Sequence, residues 1–172
     1  MKNTKDTPVI VAVSGGFDPI HPGHVRMMQE AKKLGDKLIV IINNDNWLMK
    51  KKRFTFMAEK ERKEIIEAIK YVDQVVLSSH KKNPEGAEAM SVSKDLKGLG
   101  IKYFANGGDR DEANASDPNS SLYWDLKACK DLGIKMIFNV GRGGKIQSSS
   151  WLIEKAAKAA PRKINVKIKP KK

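Results

Sequence analysis

The sequence predicts an α/β domain: one mostly parallel five-stranded sheet, wound with helices on both faces. Three observations carry this. Five short, β-rich apolar runs recur along the chain, and patterns of helical period lie between them. The run from Leu38 to Ile42 is apolar without a break, as a parallel strand covered on both faces should be. Strands that alternate with helices need crossover connections, which place the helices against the sheet.

The elements follow in order. Pro8 to Ser14 reads as the first strand, ended by Gly15-Gly16. A helix starts near Pro22, with Val25, Met28, Ala31 and Leu34 as its apolar stripe and Gly35 as its stop. After the Leu38 to Ile42 strand comes a polar, basic loop, then a helix from Met57 to Lys70 that can pack Ile65, Ile66, Ala68 and Ile69. Val75 to Leu77, Ile101 to Ala105 and Lys135 to Val140 read as the remaining strands. Helical segments lie near 86–97 and 120–132, and a last helix opens at the serines around Ser148. The pattern βαβαβαβαβα describes a single-domain, Rossmann-like doubly wound sheet over residues 1–160, followed by a basic tail at 161–172. In such sheets ligands bind beyond the carboxyl ends of the strands, where strand order reverses. Chemistry is therefore expected just after strands one, two, four and five.

Composition narrows the function. The 172 residues include 33 Lys plus Arg against 20 Asp plus Glu, a formal charge of +13, with 40% apolar residues and one cysteine. That apolar content supports a core and excludes a disordered chain. A lone Cys129 excludes an internal disulfide and points to a reducing compartment. The longest apolar run, Pro8 to Val13, is far short of the roughly 18 residues of a membrane span and leads into no cleavage site. A cytoplasmic protein with no membrane partner is expected.

The excess charge is uneven. Lys50-Lys51-Lys52-Arg53 carries +4, and Arg162, Lys163, Lys167, Lys169, Lys171 and Lys172 carry +6 with no acid. The tail reads as a solvated end, as an edge strand or dimer arm through Ile164, Val166 and Ile168, or as a nucleic-acid contact.

The most informative stretch is Gly15-Gly16-Phe17-Asp18-Pro19-Ile20-His21-Pro22-Gly23-His24. His21 and His24, two of only three histidines, lie three residues apart at a helix start, so both imidazoles share one face. A helix N-terminus offers free N–H groups and a positive dipole end, and Gly23 lets an anion approach the backbone. Two imidazoles there suit nucleotide phosphates. A metal pair and two ordinary surface histidines are the competing readings, and no cysteine cluster completes a zinc set. Neither Gly-x-x-x-x-Gly-Lys-Ser/Thr nor Gly-x-Gly-x-x-Gly occurs in this strand-turn-helix context.

At these residues the chain resembles the cytidylyltransferase-like nucleotidyltransferases, with their His-x-Gly-His signature. Four further stretches stand in register. Gly35-Asp36-Lys37-Leu38-Ile39-Val40 resembles the family's Gly-Asp-x-Leu-Ile-Val strand. Glu61-Arg62 with Val72-Asp73 resembles its Glu-Gln-Arg helix and Val-Asp turn. Asn106-Gly107-Gly108-Asp109 matches the loop after strand four, and Gln147-Ser148-Ser149-Ser150 the motif opening the last helix.

The resemblance implies that a substrate phosphate attacks the α-phosphorus of a nucleoside triphosphate and pyrophosphate leaves. On that reading His21 and His24 donate to phosphate oxygens, Lys51 and Arg53 clamp the phosphates after strand two, and Arg62 grips the nucleotide. Gly16, Phe17, Asp18 and Gly23 form the first-strand loop around the nucleotide. Asp18 orients a histidine or meets the incoming phosphate, and Asp109 contacts nucleotide or acceptor. Ser148, Ser149 and Ser150 serve the β and γ phosphates, for which the plain reading is a helix cap. Magnesium arrives with the triphosphate, held by phosphate oxygens and water, with no dedicated protein metal site.

The chain departs from the family pattern in places. Gly16 stands where Thr or Cys is common, and Gly141-Arg142-Gly143-Gly144-Lys145-Ile146 replaces an Arg-Thr-Glu-Gly approach. The acid-containing stretch from Arg110 to Ser120 is expected to form part of the acceptor pocket. Trp47, Trp124 and Trp151 read as packing or interface residues. The expected substrates are CTP and a small polyol- or sugar-phosphate such as glycerol 3-phosphate, in a homodimer. The alternatives are ATP with a heptose-1-phosphate or an FMN-like acceptor, or a nucleotide- or RNA-binding protein that uses the tail.

Overall fold

A computed structural model describes residues 7–108, 110–141 and 147–159. Five strands, β1 (Ile10–Gly15), β2 (Lys37–Ile42), β3 (Gln74–Leu77), β4 (Ile101–Ala105) and β5 (Lys135–Ile137), form one sheet in the order β3-β2-β1-β4-β5. Every pairing is parallel. The chain builds outward from β1 to β3, then crosses to the other side of β1, so strand order reverses between β1 and β4.

Among the described residues seven helices connect and flank the strands: α1 (Pro22–Lys32), α2 (Asp45–Lys52), α3 (Glu59–Glu67), α4 (Gly86–Ala89), α5 (Glu112–Ser116), α6 (Ser121–Asp131) and α7 (Ser149–Ala159). The strand alternation divides the core in two. Val11, Val13, Leu38, Val40 and Ile42 pack with Met28 and Ala31 of α1 and Ile66 of α3. Ala12, Ile39, Ile41 and Phe104 pack with Cys129 of α6 and with Val92 and Leu96. Burial on both faces is why β1 and β2 are apolar at successive positions.

The expected fold class holds, with local corrections. The stretch after β2 is not a loop but the helix α2, started by Asn44, whose side chain accepts from Trp47 N, and ended by Arg53 at φ 65°. Its lysines hid it, since α2 has one buried residue, Leu48, and no clear apolar stripe. The helix expected over 57–70 is the shorter α3. The one expected over 86–97 is α4 followed by a 3₁₀ turn at Ser93–Leu96. β5 stops at Ile137, because Val140 N instead donates to Asn106 O. The tail at 161–172 lies outside the described residues.

Candidate functional site

The β1–α1 turn is shaped by close packing. Phe17 takes a positive φ of 51° and is buried, and its ring stands edge-on to His24 with centroids 5.0 Å apart. Gly15 leaves room for that ring: a Cβ there would lie 2.9 Å from Phe17 Cζ. His21 caps α1 in extended conformation, Pro22 fills its first turn, and His24 N donates to His21 O at 2.9 Å. The two imidazoles consequently stack, centroids 3.7 Å apart and planes at 21°.

Packing sets their charge. Burial, the neighbouring His21 and the Lys52 cation hold His24 down to about 3, and burial with Lys52 lowers His21 as well. The pair is therefore neutral near pH 7. Both Nδ1 atoms are buried with no hydrogen-bond partner among the described residues. That places an unspent polar pair at a helix N-terminus, where an anion would be favoured.

The stack forms one wall of a cavity of about 420 Å³, within the range of small-molecule sites. Ser14 and Gly15 close it from β1, and His21, Gly23, His24 and Met27 from α1. Asn106, Gly107, Gly108 and Arg110 come from the loop after β4, and Asn139 to Gly141 from the turn after β5. Gln147, Ser148, Ser149 and Ser150 line it at the start of α7, and Lys52 enters from α2. Ser149 Oγ donates to Pro19 O at 2.9 Å, tying α7 to the β1–α1 turn. Two helix N-termini thus converge where strand order reverses. Contact between the β4 and β5 ends needs Gly107, where a Cβ would lie 2.5 Å from Val140 O and 2.8 Å from Met27 Sδ.

Several expected roles change. The cavity's cation from the basic run is Lys52, not Lys51 or Arg53, both of which are exposed and absent from the wall. In a helix, neighbours point about 100° apart, so only one side chain of that turn can face β1. Lys52 Nζ donates to Asp18 O at 2.8 Å, and burial lowers its pKa.

Asp18 is fully buried, and its carboxylate accepts from Phe56 N at 2.8 Å and Met57 N at 2.7 Å. It holds the α2–α3 loop rather than a histidine.

Arg62 is 1% exposed. Its guanidinium donates to Gly16 O and Asn43 O at 2.7 Å, Met57 O at 3.0 Å and Asp45 Oδ1 at 2.7 Å. It is a brace between the ends of β1 and β2, with four of its five N–H donors committed to the protein. Gly16 contributes through the carbonyl that Arg62 holds and does not line the cavity. Asp109, Arg142 and Lys145 lie outside the described residues.

Arg110, the first residue of the stretch expected at the acceptor pocket, lines the wall, and Met27, Asn106, Asn139, Val140 and Gln147 line it without having been assigned individual roles from the sequence. The Asn106-Gly107-Gly108 motif marked that loop, and Met27 lies one residue off the stripe of α1. Asn139 and Val140 carried no chemical signal. Asp125 of α6 was also missed: it is buried, accepts from Val92 N at 2.8 Å, and burial pushes its carboxyl up to about 6 against the Arg110 charge. Trp47 and Trp124 donate to Met90 O and Pro118 O, a packing role. Among the described residues no group of three or more His, Cys, Asp or Glu could hold a metal ion, and no helix is long and apolar enough to cross a membrane.

Residues 12–118 match the family model described as cytidylyltransferase-like. An FAD synthase of Ferroglobus placidus is 48% identical over 67 residues, which are 39% of this chain and 43% of that protein. The glycerol-3-phosphate cytidylyltransferase of Bacillus subtilis is 39% identical over 66 residues, 38% of this chain and 51% of that protein. The chain thus spans about half the length of the curated relatives it matches. A crystal structure of a lipopolysaccharide core biosynthesis protein from Thermoplasma volcanium superposes with a TM-score of 0.60 at 24% identity. It covers 78% of this chain and 98% of that one, a likeness of fold.

Proposed function

Because the chain belongs to the cytidylyltransferase-like family, we propose that its cavity transfers a nucleotidyl group from a nucleoside triphosphate to a small phosphomonoester. The observation that carries this is the stacked, neutral His21–His24 pair at the N-terminus of α1, facing the serines of α7 across the cavity.

In the reaction an acceptor phosphate oxygen forms a bond to the α-phosphorus. The bond from that phosphorus to the bridging oxygen breaks, and pyrophosphate leaves with the electron pair. Such transfer needs positioning and charge stabilisation more than covalent help. His21 and His24 donate to phosphate oxygens, each such donor contributing about 3 kcal/mol to the transition state. Lys52 supplies a fixed positive charge, and Ser148 to Ser150 supply hydroxyl and first-turn N–H donors. Magnesium, when bound with the triphosphate, would neutralise phosphate charge. The cavity's described lining holds no carboxylate, which suits an ion carried by phosphate oxygens and water.

The Bacillus subtilis relative supports CTP with a polyol phosphate. The FAD synthase relative, at higher identity, supports a second pairing, ATP with flavin mononucleotide. The test incubates the protein with magnesium, CTP or ATP, and a panel including glycerol 3-phosphate, heptose 1-phosphate and flavin mononucleotide, following pyrophosphate. Release that needs both a triphosphate and one acceptor is expected, and His24→Ala should abolish it. No release in any combination would overturn the proposal.

A further inference from the structure

Transfer between two phosphate-bearing substrates brings a second anion beside a triphosphate, and their repulsion has to be offset within one cavity. The His21–His24 pair, Lys52 and the start of α7 account for one anion. Among the described residues one further cation lines the cavity, Arg110, which arrives from the β4 loop on the far side of the strand reversal from Lys52.

Arg110 is held from behind. Its Nη1 donates to Asn106 Oδ1 at 3.2 Å. Asn106 is 3% exposed, and its backbone is fixed between the strand ends: its N donates to Ile137 O at 2.7 Å, and its O accepts from Val140 N at 3.0 Å. A guanidinium can only donate, so the amide must turn its oxygen to Arg110. One Arg110 donor is thereby spent on the protein, and the others have no partner among the described residues. A planar group with free paired donors matches the oxygens of a phosphate.

We propose that Arg110, positioned by Asn106, receives the phosphate of the acceptor and makes the site select phosphomonoesters. This rests on the nucleotidyl-transfer reading of the same cavity.

The experiment is calorimetric titration of the wild type, Arg110→Gln and Arg110→Lys with three probes: tripolyphosphate, glycerol 3-phosphate and flavin mononucleotide, each monoester being added to protein pre-loaded with a non-hydrolysable triphosphate. Melting curves check that the variants fold, and Arg110→Lys serves if the glutamine variant does not. Arg110→Gln should weaken the monoester that binds by roughly ten- to a hundredfold, the scale of a lost charge-assisted bond, and change tripolyphosphate binding less than about twofold. Arg110→Lys, which keeps the charge, should lose less. Parallel weakening of tripolyphosphate would place Arg110 at the triphosphate and overturn the proposal, as would unchanged monoester binding. A wild type that binds tripolyphosphate but neither monoester also overturns it, leaving the nucleotide reading intact. A wild type that binds neither tripolyphosphate nor any nucleoside triphosphate overturns that reading as well.

Discussion

Arg62→Met separates a brace from a nucleotide ligand. The substitution keeps most of the side chain's length but removes donors to four oxygens, at 2.7, 2.7, 2.7 and 3.0 Å. Three of those are main-chain carbonyls. The fourth belongs to Asp45, whose side chain is 36% exposed and regains some hydration when released. Counting about 1 kcal/mol for each acceptor left without its donor, the loss comes to about 4 kcal/mol. That is a large share of the 5–15 kcal/mol typical of a folded domain, and it lowers Tm by roughly 10 °C at this chain length. Circular dichroism melts and urea titrations read the effect directly. Arg62→Lys should recover only part of it, because three donors on a flexible stem cannot span four acceptors in a plane. A Met variant that melts within about 1 °C of wild type but loses nucleotide binding would refute the reasoning and return Arg62 to the nucleotide.

Further outcomes follow from the same geometry. Lys52→Met should lower kcat/KM of the transfer reaction by about a hundredfold, while Lys51→Met changes it less than about twofold; steady-state kinetics on the two variants checks this. His24, held near 3, refuses a proton that the unfolded chain takes up near 6.5. Its contribution is therefore intact above pH 6.5 and lost as pH falls, by about 2 kcal/mol between pH 7 and pH 5. Urea midpoints across that range should fall, and His24→Asn should flatten the slope. Gly107→Ala forces a Cβ against Val140 O, and a loss of roughly 2 kcal/mol is expected in the same denaturation assay.

The fold was legible because β1 and β2 are dense in Val and Ile, and because Gly15-Gly16 and Gly107-Gly108 mark the ends of β1 and β4. The site was half legible. His21-Pro22-Gly23-His24 and Ser148-Ser149-Ser150 announce their chemistry by residue type, and both lie on the cavity wall. The basic run did not announce which lysine faces inward, since that depends on a helix built around one buried residue, Leu48, and stopped by a left-handed Arg53. Arg62 misled for a different reason. An arginine in a helix pattern looks alike whether it serves a ligand or three carbonyls, and only the meeting of the β1 and β2 ends with α3 decides. Arg110 follows the Asn106-Gly107-Gly108 motif, but its bond to Asn106 Oδ1 shows only in the fold, and Asp125 carries no motif, its bond to Val92 N appearing once α6 packs against the 3₁₀ turn at Ser93–Leu96.

The central claim, attack at the α-phosphorus in this cavity, is tested most directly by following label. CTP and ATP labelled at the α- or at the γ-phosphorus are incubated with magnesium and the acceptor that supports pyrophosphate release. The α-label should move to the acceptor in a product that His24→Ala does not form, and the γ-label should leave entirely as pyrophosphate. Appearance of the γ-label on the acceptor, or of the α-label in a free nucleoside diphosphate, would contradict the account.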